Sequence, residues 1–442
     1  MDYFNRHIDN VLQQWSCEKR HKPLMLRGAR QVGKTSAVRN LGKHFKNFVE
    51  INFENKDHAA AKMVFSRHSD PQLICSELAL LFGKPIVTGE TLLFLDEIQS
   101  CTDAISALRY FYEQLPELHV IAAGSLLEFA LEEISSFGVG RIDSIFMYPF
   151  SFSEFLCAMG HENWVKLIDE STPERPVYEP IHEKIVEQLK TFLIIGGMPE
   201  VVSEFVNTRD FLRCQKILNS LLVSFRNDFA KYKKRIPAAR INEVFSSISQ
   251  QAEGKFVYEH VSQNINNEQV KKILELLLMA GLCYQVTHSS ADGLPLGARI
   301  NPKNRRIIPF DTGIYQRTLN LNISDILFSN DFNAINKGAV AEIFVGCEVK
   351  KNASCYSDEE LYCWVREKKN ATAQIDFVVQ RGETIVPVEV KSGKQGKMQS
   401  LWMFMKEKNS IYGIRTSLEN FCEYQNIKVY PLYAIGNILK CH

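Results

Sequence analysis

Residues 28–35, "GARQVGKT", determine how the first part of the chain is interpreted. The spacing is G-x-x-x-x-G-K-T, after the apolar run "PLMLRG" at 23–28 and before the helical pattern "KTSAVRNLGKHF" at 34–45. Glycines at both ends let backbone N–H groups curve around an anion, and the helix N-terminus adds a positive dipole end. The motif therefore predicts a phosphate-binding loop between a strand and a helix.

Nine consecutive residues are expected to surround the phosphates of ATP. They are Gly28, Ala29, Arg30, Gln31, Val32, Gly33, Lys34, Thr35 and Ser36. Lys34 would neutralise the β- and γ-phosphates, and the Thr35 hydroxyl would bind Mg²⁺. The alternative is a chance match in an ordinary strand–helix turn, and the flanking strand and helix argue against it.

Two acidic residues at the end of a later apolar strand complete this predicted site. The run "LLFLDE" ends in Asp96 and Glu97. Asp96 would hold Mg²⁺, and Glu97 would polarise the water that attacks the γ-phosphate. A protein that only binds ATP needs the first acid alone, so the second one indicates hydrolysis.

Two further residues have alternative interpretations. Ser125 ends the run "LHVIAAGS" and would either sense the γ-phosphate or fill a packing position. Arg141, in "GVGRID", would either stabilise transition-state charge as an arginine finger or lie on the surface. The sequence leaves both pairs of alternatives open.

Strand-like and helix-like patterns alternate through the first part of the chain, which predicts an α/β fold with a parallel sheet covered on both faces. Three helices and a hairpin between residues 241 and 310 have the order of a winged helix-turn-helix. A helix, antiparallel strands and an αβ closure follow. We therefore predict a P-loop NTPase domain at 1–205, a helical, winged-helix-like part at 206–325, and a mixed α/β domain at 326–442.

The charge balance allows nucleic-acid contact only through a local patch. The whole chain carries 52 Lys and Arg against 51 Asp and Glu, a formal charge of +1. Residues 226–310 hold 13 Lys and Arg and 7 Asp and Glu, which gives 13 − 7 = +6. The predicted DNA phosphate contacts are Lys271, Lys272, Lys303, Arg305 and Arg306. A solvated charged face is the alternative, and "KYKKR" at 231–235 is interpreted as a surface helix end.

The remaining composition indicates a cytoplasmic protein. The 11 cysteines show neither CxxC pairs nor zinc-finger spacing, which is typical of reduced thiols. The N-terminal pattern is an amphipathic helix and lacks the apolar core of a signal peptide. No apolar run approaches the ~20 residues of a membrane span, so no membrane contact is expected.

Several runs together resemble a prokaryotic family of P-loop AAA-type ATPases. These runs are "LRGARQVGKTS", "LLFLDEIQ", "AAGSLLEF", "GRIDSIFMYPFSFSEFL" and "GGMPEVV". In this family an N-terminal ATPase of the AAA (ASCE) class is fused to a C-terminal region of unknown function, and the resemblance spans essentially the whole chain. It implies an ATP site at Gly28, Gly33, Lys34, Thr35, Asp96 and Glu97, and it implies no particular substrate.

Four residues of the C-terminal part form a second candidate site. Glu389 and Lys391, in "PVEVKSG", share one face of a strand because side chains alternate with period two. Asp376 is expected on the neighbouring strand, and Glu342 on the opening helix. The three carboxylates would bind Mg²⁺, and Lys391 would orient a water for attack on a phosphodiester. The pattern resembles the D…E-x-K nucleases and predicts a restriction-endonuclease-like fold.

Two functions remain open at this point. In the first, an ATP-hydrolysing switch controls a nucleic-acid-binding domain with a Mg²⁺-dependent nuclease site. In the second, the chain is a regulatory ATPase whose C-terminal domain is an inactive scaffold for a protein or DNA, with its charges simply facing water. The oligomeric state is also open, although an arginine finger acting between subunits would require a homo-oligomer.

Overall fold

The computed structural model describes residues 3–125, 127–133, 140–232, 236–323, 337–366, 373–393 and 398–439. Contacts between Cα atoms divide the chain into two compact units. The first is Met1–Tyr148 with Ser354–Asp358, and the second is Pro149–Ala353 with Glu359–His442. The division after Tyr148 differs from the predicted boundary after residue 205, and the predicted boundary after residue 325 lies outside the described residues. The three-domain organisation stays a prediction.

A five-stranded parallel sheet is the centre of the first unit, with strand order β2-β3-β4-β1-β5. The strands are β1 (Leu24–Arg27), β2 (Asn47–Asn52), β3 (Thr91–Asp96), β4 (His119–Ala123) and β5 (Asp143–Phe146). Because the strands are parallel, the residues that follow β1, β3 and β4 meet at one edge of the sheet. The predicted parallel α/β architecture is confirmed.

Where the structure describes the first unit, it has six helices. They are α1 (His7–Ser16), α2 (Lys34–Gly42), α3 (Ala59–Arg67), α4 (Pro71–Phe82), α5 (Thr102–Gln114) and α6 (Leu127–Glu133). Helix α4 shows how local sequence sets the ends: the Asp70 carboxylate caps the first turn by accepting from the Gln72 N–H, and Gly83 ends it in the left-handed conformation. Short 3₁₀ turns lie at Lys56–His58 and Ile98–Ser100.

The core of the first unit lies on the sheet. All six residues of β3 and all five of β4 are buried, which is the pattern of central parallel strands covered on both faces. Ile105, Leu108 and Phe111 of α5 pack into the same cluster of buried side chains. Burial of the strands fixes their register, and with it the positions of the polar residues at their carboxyl ends.

Ten helices lie in the described residues of the second unit. They are α7 (Phe152–Ala158), α8 (Glu162–Glu170), α9 (Glu179–Ile195), α10 (Pro199–Thr208), α11 (Phe211–Tyr232), α12 (Ala238–Gln250), α13 (Asn267–Met279), α14 (Thr312–Thr318), α15 (Lys337–Asn352) and α16 (Gln399–Lys408). Of the "KYKKR" segment, residues 233–235 lie outside the described residues. Within the described ranges, no helix combines the length and apolar character of a membrane span, and the ten cysteines there are free thiols.

An eight-stranded mixed sheet runs through the second unit, in the order β12-β13-β11-β10-β9-β8-β6-β7. The strands are β6 (Cys283–Ser289), β7 (Ile300–Pro309), β8 (Leu361–Val365), β9 (Gln374–Arg381), β10 (Thr384–Val390), β11 (Gly413–Ser417), β12 (Cys422–Tyr424) and β13 (Ile427–Pro431). Strand β10 pairs antiparallel with β9 and parallel with β11. The helix, the antiparallel strands and the αβ closure follow the order expected from the sequence.

The hairpin expected to form a wing is part of this larger sheet. Strands β6 and β7 pair antiparallel, and β6 also pairs in parallel with β8, through Val286 opposite Leu361. The middle and last parts of the chain therefore share one sheet. Residues of β7 can reach side chains of β9 and α15, which a free wing could not do.

Candidate functional site

The loop at residues 28–33 has the backbone shape that a phosphate cradle needs. Gly28 has φ 137° and Gly33 has φ 101°. A Cβ on Gly28 would lie 2.1 Å from the Met147 carbonyl oxygen, so only glycine fits there. Gln31 also has a left-handed φ of 64°, a strained value for a non-glycine residue that is common at functional sites.

Lys34 is held at the centre of the loop. Its Nζ donates to the carbonyl oxygens of Gly28 and Ala29, each at 2.8 Å, and the residue is buried. Burial lowers the pKa of Lys34 to about 8, although Glu97 and Asp96 oppose this shift. Burial destabilises the charged ammonium of Lys34, so a bound phosphate group would stabilise it by supplying a negative partner.

Thr35 and Asp96 meet at the carboxyl edge of the sheet, as the sequence predicts. The Thr35 Oγ1 donates to Asp96 Oδ2 at 3.2 Å, and the Asn52 amide donates to the same oxygen at 3.2 Å. Burial, and then the neighbouring Glu97, raise the pKa of Asp96 to about 6. A hydroxyl and a carboxylate at the loop are the ligands that Mg²⁺ uses beside nucleotide phosphates, so these residues fit the ion.

Glu97 lies beside Ser125, and both are at the sheet edge. The Glu97 Oε2 accepts a hydrogen bond from the Gln99 amide at 2.6 Å, and it lies 3.4 Å from the Ser125 Oγ. Glu97 has φ 49°, a left-handed value that costs energy and turns the residue out of the strand. A Cβ on Gly124 would lie 2.1 Å from the Gln99 Oε1, so this small residue leaves room for the Gln99 side chain.

Arg141 lies in a different environment from these groups. Its Nε is 3.4 Å from Glu113 Oε1 on α5, and its side chain is 47% exposed. Glu113 also accepts from Arg109 at 2.9 Å. These contacts match the surface alternative for Arg141, and a finger role stays a prediction.

Three residues of the nucleotide site were missed by the sequence analysis. Asn52 ends β2 and could have been found as a polar residue at a strand's carboxyl end. Gln99 follows the acidic pair by two residues. No sequence pattern identifies Arg6. Its guanidinium donates to the Val32 carbonyl at 3.3 Å and to the Tyr148 carbonyl at 2.8 Å, and the first of these bonds holds the loop in place.

The second candidate site is a buried group of charges, here named the C-terminal charge cluster. It consists of Arg306 on β7, Glu342 on α15, Asp376 on β9, Glu389 on β10, and Lys391 just after β10. The Lys391 Nζ donates to Glu389 Oε1 at 2.6 Å. The Val390 N–H donates to Asp376 Oδ2 at 2.8 Å, so Asp376 and the strand of Glu389 are in direct contact.

Arg306 is the unexpected member of the cluster. Its guanidinium donates to the Glu342 carboxylate and to the Asp376 carbonyl oxygen. Burial opposes its charge, but Glu342 and Asp376 outweigh burial and raise the pKa of Arg306 above its usual value. The prediction that Arg306 contacts phosphates from an exposed wing is wrong, because the hairpin belongs to the sheet and turns this residue inward.

The predicted magnesium ligands do not fit a metal ion as arranged. No group of three or more His, Cys, Asp or Glu side chains in the described part of the chain is placed to hold one. Glu342 is occupied by Arg306, and one Asp376 oxygen accepts the backbone N–H of Val390. The structure brings the four predicted residues into one region, but it places a guanidinium among them.

The other predicted DNA contacts have acidic or aromatic neighbours. Lys271 lies 3.9 Å from Glu275 and Lys272 lies 2.7 Å from Glu268, so α13 presents mixed charge. The Arg305 guanidinium lies over the Tyr258 ring. Lys303 is exposed on β7. Local basic charge is therefore weaker on this surface than the residue count suggested.

Comparison with known proteins assigns the first part of the chain. Residues 20–156 match the model of the AAA domain. Residues 186–325 and 337–435 match two domains of unknown function, DUF8612 and DUF4143. No curated protein matches the chain.

Solved structures are similar at low identity. A Walker-type ATPase of Pyrococcus abyssi is 16% identical, with TM-score 0.47, over 72% of this chain and 96% of that one. Cdc6p from Pyrobaculum aerophilum is 12% identical, with TM-score 0.26, over 74% of this chain and 96% of that one. The ORC1 protein of Aeropyrum pernix, solved in complex with DNA, is 12% identical, with TM-score 0.27, over 73% and 94%.

The glycine-rich loop, the buried lysine and the acidic strand end lie within the residues that the domain model covers. The match and the geometry therefore agree on this part of the chain. The part of the chain that is similar to an AAA domain, residues 20–156, is thus the part that carries this loop geometry.

Proposed function

We propose that this chain is a Mg²⁺-dependent ATP hydrolase that works as a nucleotide switch. The observation that supports the proposal is the meeting of Lys34, Thr35, Asp96 and Glu97 at one edge of the sheet, with Thr35 bonded to Asp96 at 3.2 Å. These groups are buried or half-buried at that edge and have separate tasks. Their arrangement suits phosphoryl transfer to water.

Each residue has a role that follows from its contacts. Lys34 would exchange the carbonyls of Gly28 and Ala29 for phosphate oxygens. Thr35 and Asp96 would hold Mg²⁺, which neutralises phosphate charge when it is bound. Glu97 would accept a proton from the attacking water, with Gln99 holding its carboxylate in place.

Phosphate release with Mg²⁺ and ATP tests the proposal. We expect Lys34→Ala to abolish ATP binding and Glu97→Gln to keep binding but lower the rate at least about 100-fold. Lys43→Ala, at the exposed end of α2, is the matched control and keeps wild-type activity. Equal rates in Glu97→Gln and wild type would assign the base elsewhere.

We further propose that the C-terminal part is a binding scaffold that does not cleave nucleic acid. Its strand order and the positions of Asp376, Glu389 and Lys391 support a restriction-endonuclease-like fold. The observation that favours the inactive scaffold over the nuclease is the Arg306–Glu342 ion pair, because a guanidinium at this position opposes metal binding.

A nicking assay separates the two functions of the C-terminal part. Wild-type protein with Mg²⁺ and ATP is expected to leave supercoiled, single-stranded and branched DNA intact. Nicking that Asp376→Asn abolishes would establish the nuclease instead. ATP hydrolysis measured in the same samples identifies the partner class: stimulation by DNA indicates a nucleic-acid partner, and indifference to every DNA indicates a protein.

A further inference from the structure

The C-terminal charge cluster contains two buried carboxylates, one half-buried carboxylate and two cations. Asp376 and Glu389 are each 7% exposed, and the side chain of Glu342 is 16% exposed. Buried charges are costly unless they are paired, so carboxylates this close need cations nearby. Arg306 supplies one and Lys391 the other, which leaves one carboxylate in excess.

One carboxylate oxygen in the cluster accepts no hydrogen bond from the part of the chain that the structure describes. Lys391 donates to Glu389 Oε1 at 2.6 Å, whereas the buried Oε2 accepts no hydrogen bond from any residue in the described ranges. The Glu389 side chain is 9% exposed, so water has little access to this oxygen. Asp376 is close enough to raise the pKa of Glu389, after burial itself. An unused buried acceptor beside a second carboxylate is an incomplete cation site.

Arg306 reaches the cluster from a separate part of the chain. It lies on β7, two strands beyond β8 in the sheet order, and its guanidinium lies over the Phe377 ring at 5.4 Å. The guanidinium connects Glu342 on α15 to the backbone of Asp376 on β9. The guanidinium thus lies between α15 and β9, where a metal ion bound by both Glu342 and Asp376 would have to lie.

We propose that Arg306 is an internal cation that excludes a divalent metal from the cluster, and that a metal site for Mg²⁺ or Mn²⁺ forms at Asp376 and Glu389 when the guanidinium is removed. The inference rests on the proposal that the C-terminal part is a non-cleaving scaffold, and it gives the physical reason for that state. Hard divalent ions prefer carboxylate oxygens, and they would meet the free Glu389 Oε2. Withdrawal of Arg306 would also release Glu342.

Mn²⁺ binding to the nucleotide-free, full-length chain tests this inference, measured by electron paramagnetic resonance. Wild type and Asp376→Asn are expected to bind Mn²⁺ equally weakly. Arg306→Gln, which keeps hydrogen-bond donors but loses the charge, is expected to gain one site that is at least about tenfold tighter. The double variant Arg306→Gln with Asp376→Asn should lose that site.

Two further variants serve as controls. Arg305→Gln removes a neighbouring charge that lies over Tyr258, and it should bind Mn²⁺ as wild type does. Arg306→Lys keeps a cation and should gain no site.

Three results would overturn the inference. The first is that Arg306→Gln folds but binds no Mn²⁺. The second is that wild type binds Mn²⁺ and that Asp376→Asn removes this binding. The second comparison does not require Arg306→Gln to fold. Gain of an equal site in Arg305→Gln would show a general charge effect. Nicking and Mn²⁺ binding are measured separately. Nicking of DNA by wild type would contradict the scaffold proposal, whereas the Mn²⁺ experiment tests the role of Arg306.

Discussion

The Gly197 N–H donates to the buried Asp311 Oδ2 at 2.7 Å, which ties the "GGMPE" motif to the start of α14. The Phe150 N–H in turn donates to the Gly197 carbonyl at 2.7 Å. The Asp311 carboxylate also caps α14 by accepting from the Ile314 N–H at 3.0 Å. The "GGMPE" motif, one of the runs that carry the family resemblance, therefore has a structural role in the second unit. Its hydrogen bonds connect the chain segments around residues 150, 197 and 311.

Gly197→Ala is expected to destabilise the second unit by about 1–3 kcal/mol. A Cβ at this position would lie 2.4 Å from the Phe150 carbonyl oxygen and 3.1 Å from the Phe150 nitrogen, and these backbone atoms cannot move aside as a side chain could. Thermal unfolding measures the effect as a lower transition temperature. Gly254→Ala, where a Cβ meets nothing within 4 Å, is the control, and equal midpoints for the two variants would refute the prediction.

Gln99→Ala is expected to lower kcat for ATP hydrolysis by about 10- to 100-fold while ATP affinity stays unchanged. The Gln99 amide holds Glu97 Oε2 at 2.6 Å, so its loss frees the carboxylate to rotate away from the attacking water. Gln72→Ala, at an exposed position of α4, is the control. A higher KM at unchanged kcat would assign Gln99 to nucleotide binding instead.

The affinity for Mg·ATP is expected to fall as pH drops below about 6. Burial raises the pKa of Asp96 to about 6, so the carboxylate that would bind Mg²⁺ becomes protonated there. The loss should approach about tenfold per pH unit. Titration with a fluorescent ATP analogue between pH 5 and 8 measures it. Asp96→Asn should keep only the pH dependence of the nucleotide itself, and an identical profile in both proteins would contradict the assignment.

The first unit is expected to lose stability as pH falls from about 6.5 towards 4. The rings of His21 and His119 stack at 3.9 Å, and Trp15 and Phe45 pack edge-on against His119. Burial, and then His21, lower the pKa of His119 to about 4. Above about pH 6.5, the pKa of histidine in an unfolded chain, the His119 ring is neutral in both the folded and the unfolded protein. Below that pH the unfolded chain takes up a proton first, so the free energy of unfolding decreases.

Urea unfolding at a series of pH values measures this loss. Its slope should approach about 1.4 kcal/mol per pH unit for each proton taken up. His119→Gln should show a shallower slope than wild type, and His7→Gln, exposed on α1, should not. A wild-type slope in His119→Gln would assign the acid sensitivity to other groups.

Much of the nucleotide site could be predicted because its chemistry is local in sequence. Lys34 and Thr35 are fixed by the loop that contains them. The position of Asp96 follows from one rule, that parallel strands end at the same edge. The same rule could have found Asn52, which ends β2. Arg6 could not be found this way, since its contact with Val32 depends on the path of the N-terminus.

The C-terminal charge cluster shows the opposite case. Period-two alternation correctly brings Glu389 and Lys391 together, because it acts within one strand. No sequence pattern pointed to Arg306 as a member of the cluster, since it lies 70 residues before Asp376 and was expected in an exposed wing.

Residue patterns alone were enough to predict the parallel α/β class of the first unit, and to predict that the glycine-rich loop, Asp96 and Glu97 lie at one edge of its sheet. Those features follow from hydrophobic periodicity and from short motifs, whose geometry neighbouring residues set. The place of the β6–β7 hairpin in the C-terminal sheet, which turns Arg306 towards Glu342, became visible in the folded chain alone. Strand pairing between distant segments has no local signature, because it depends on which edges remain free when the whole sheet assembles.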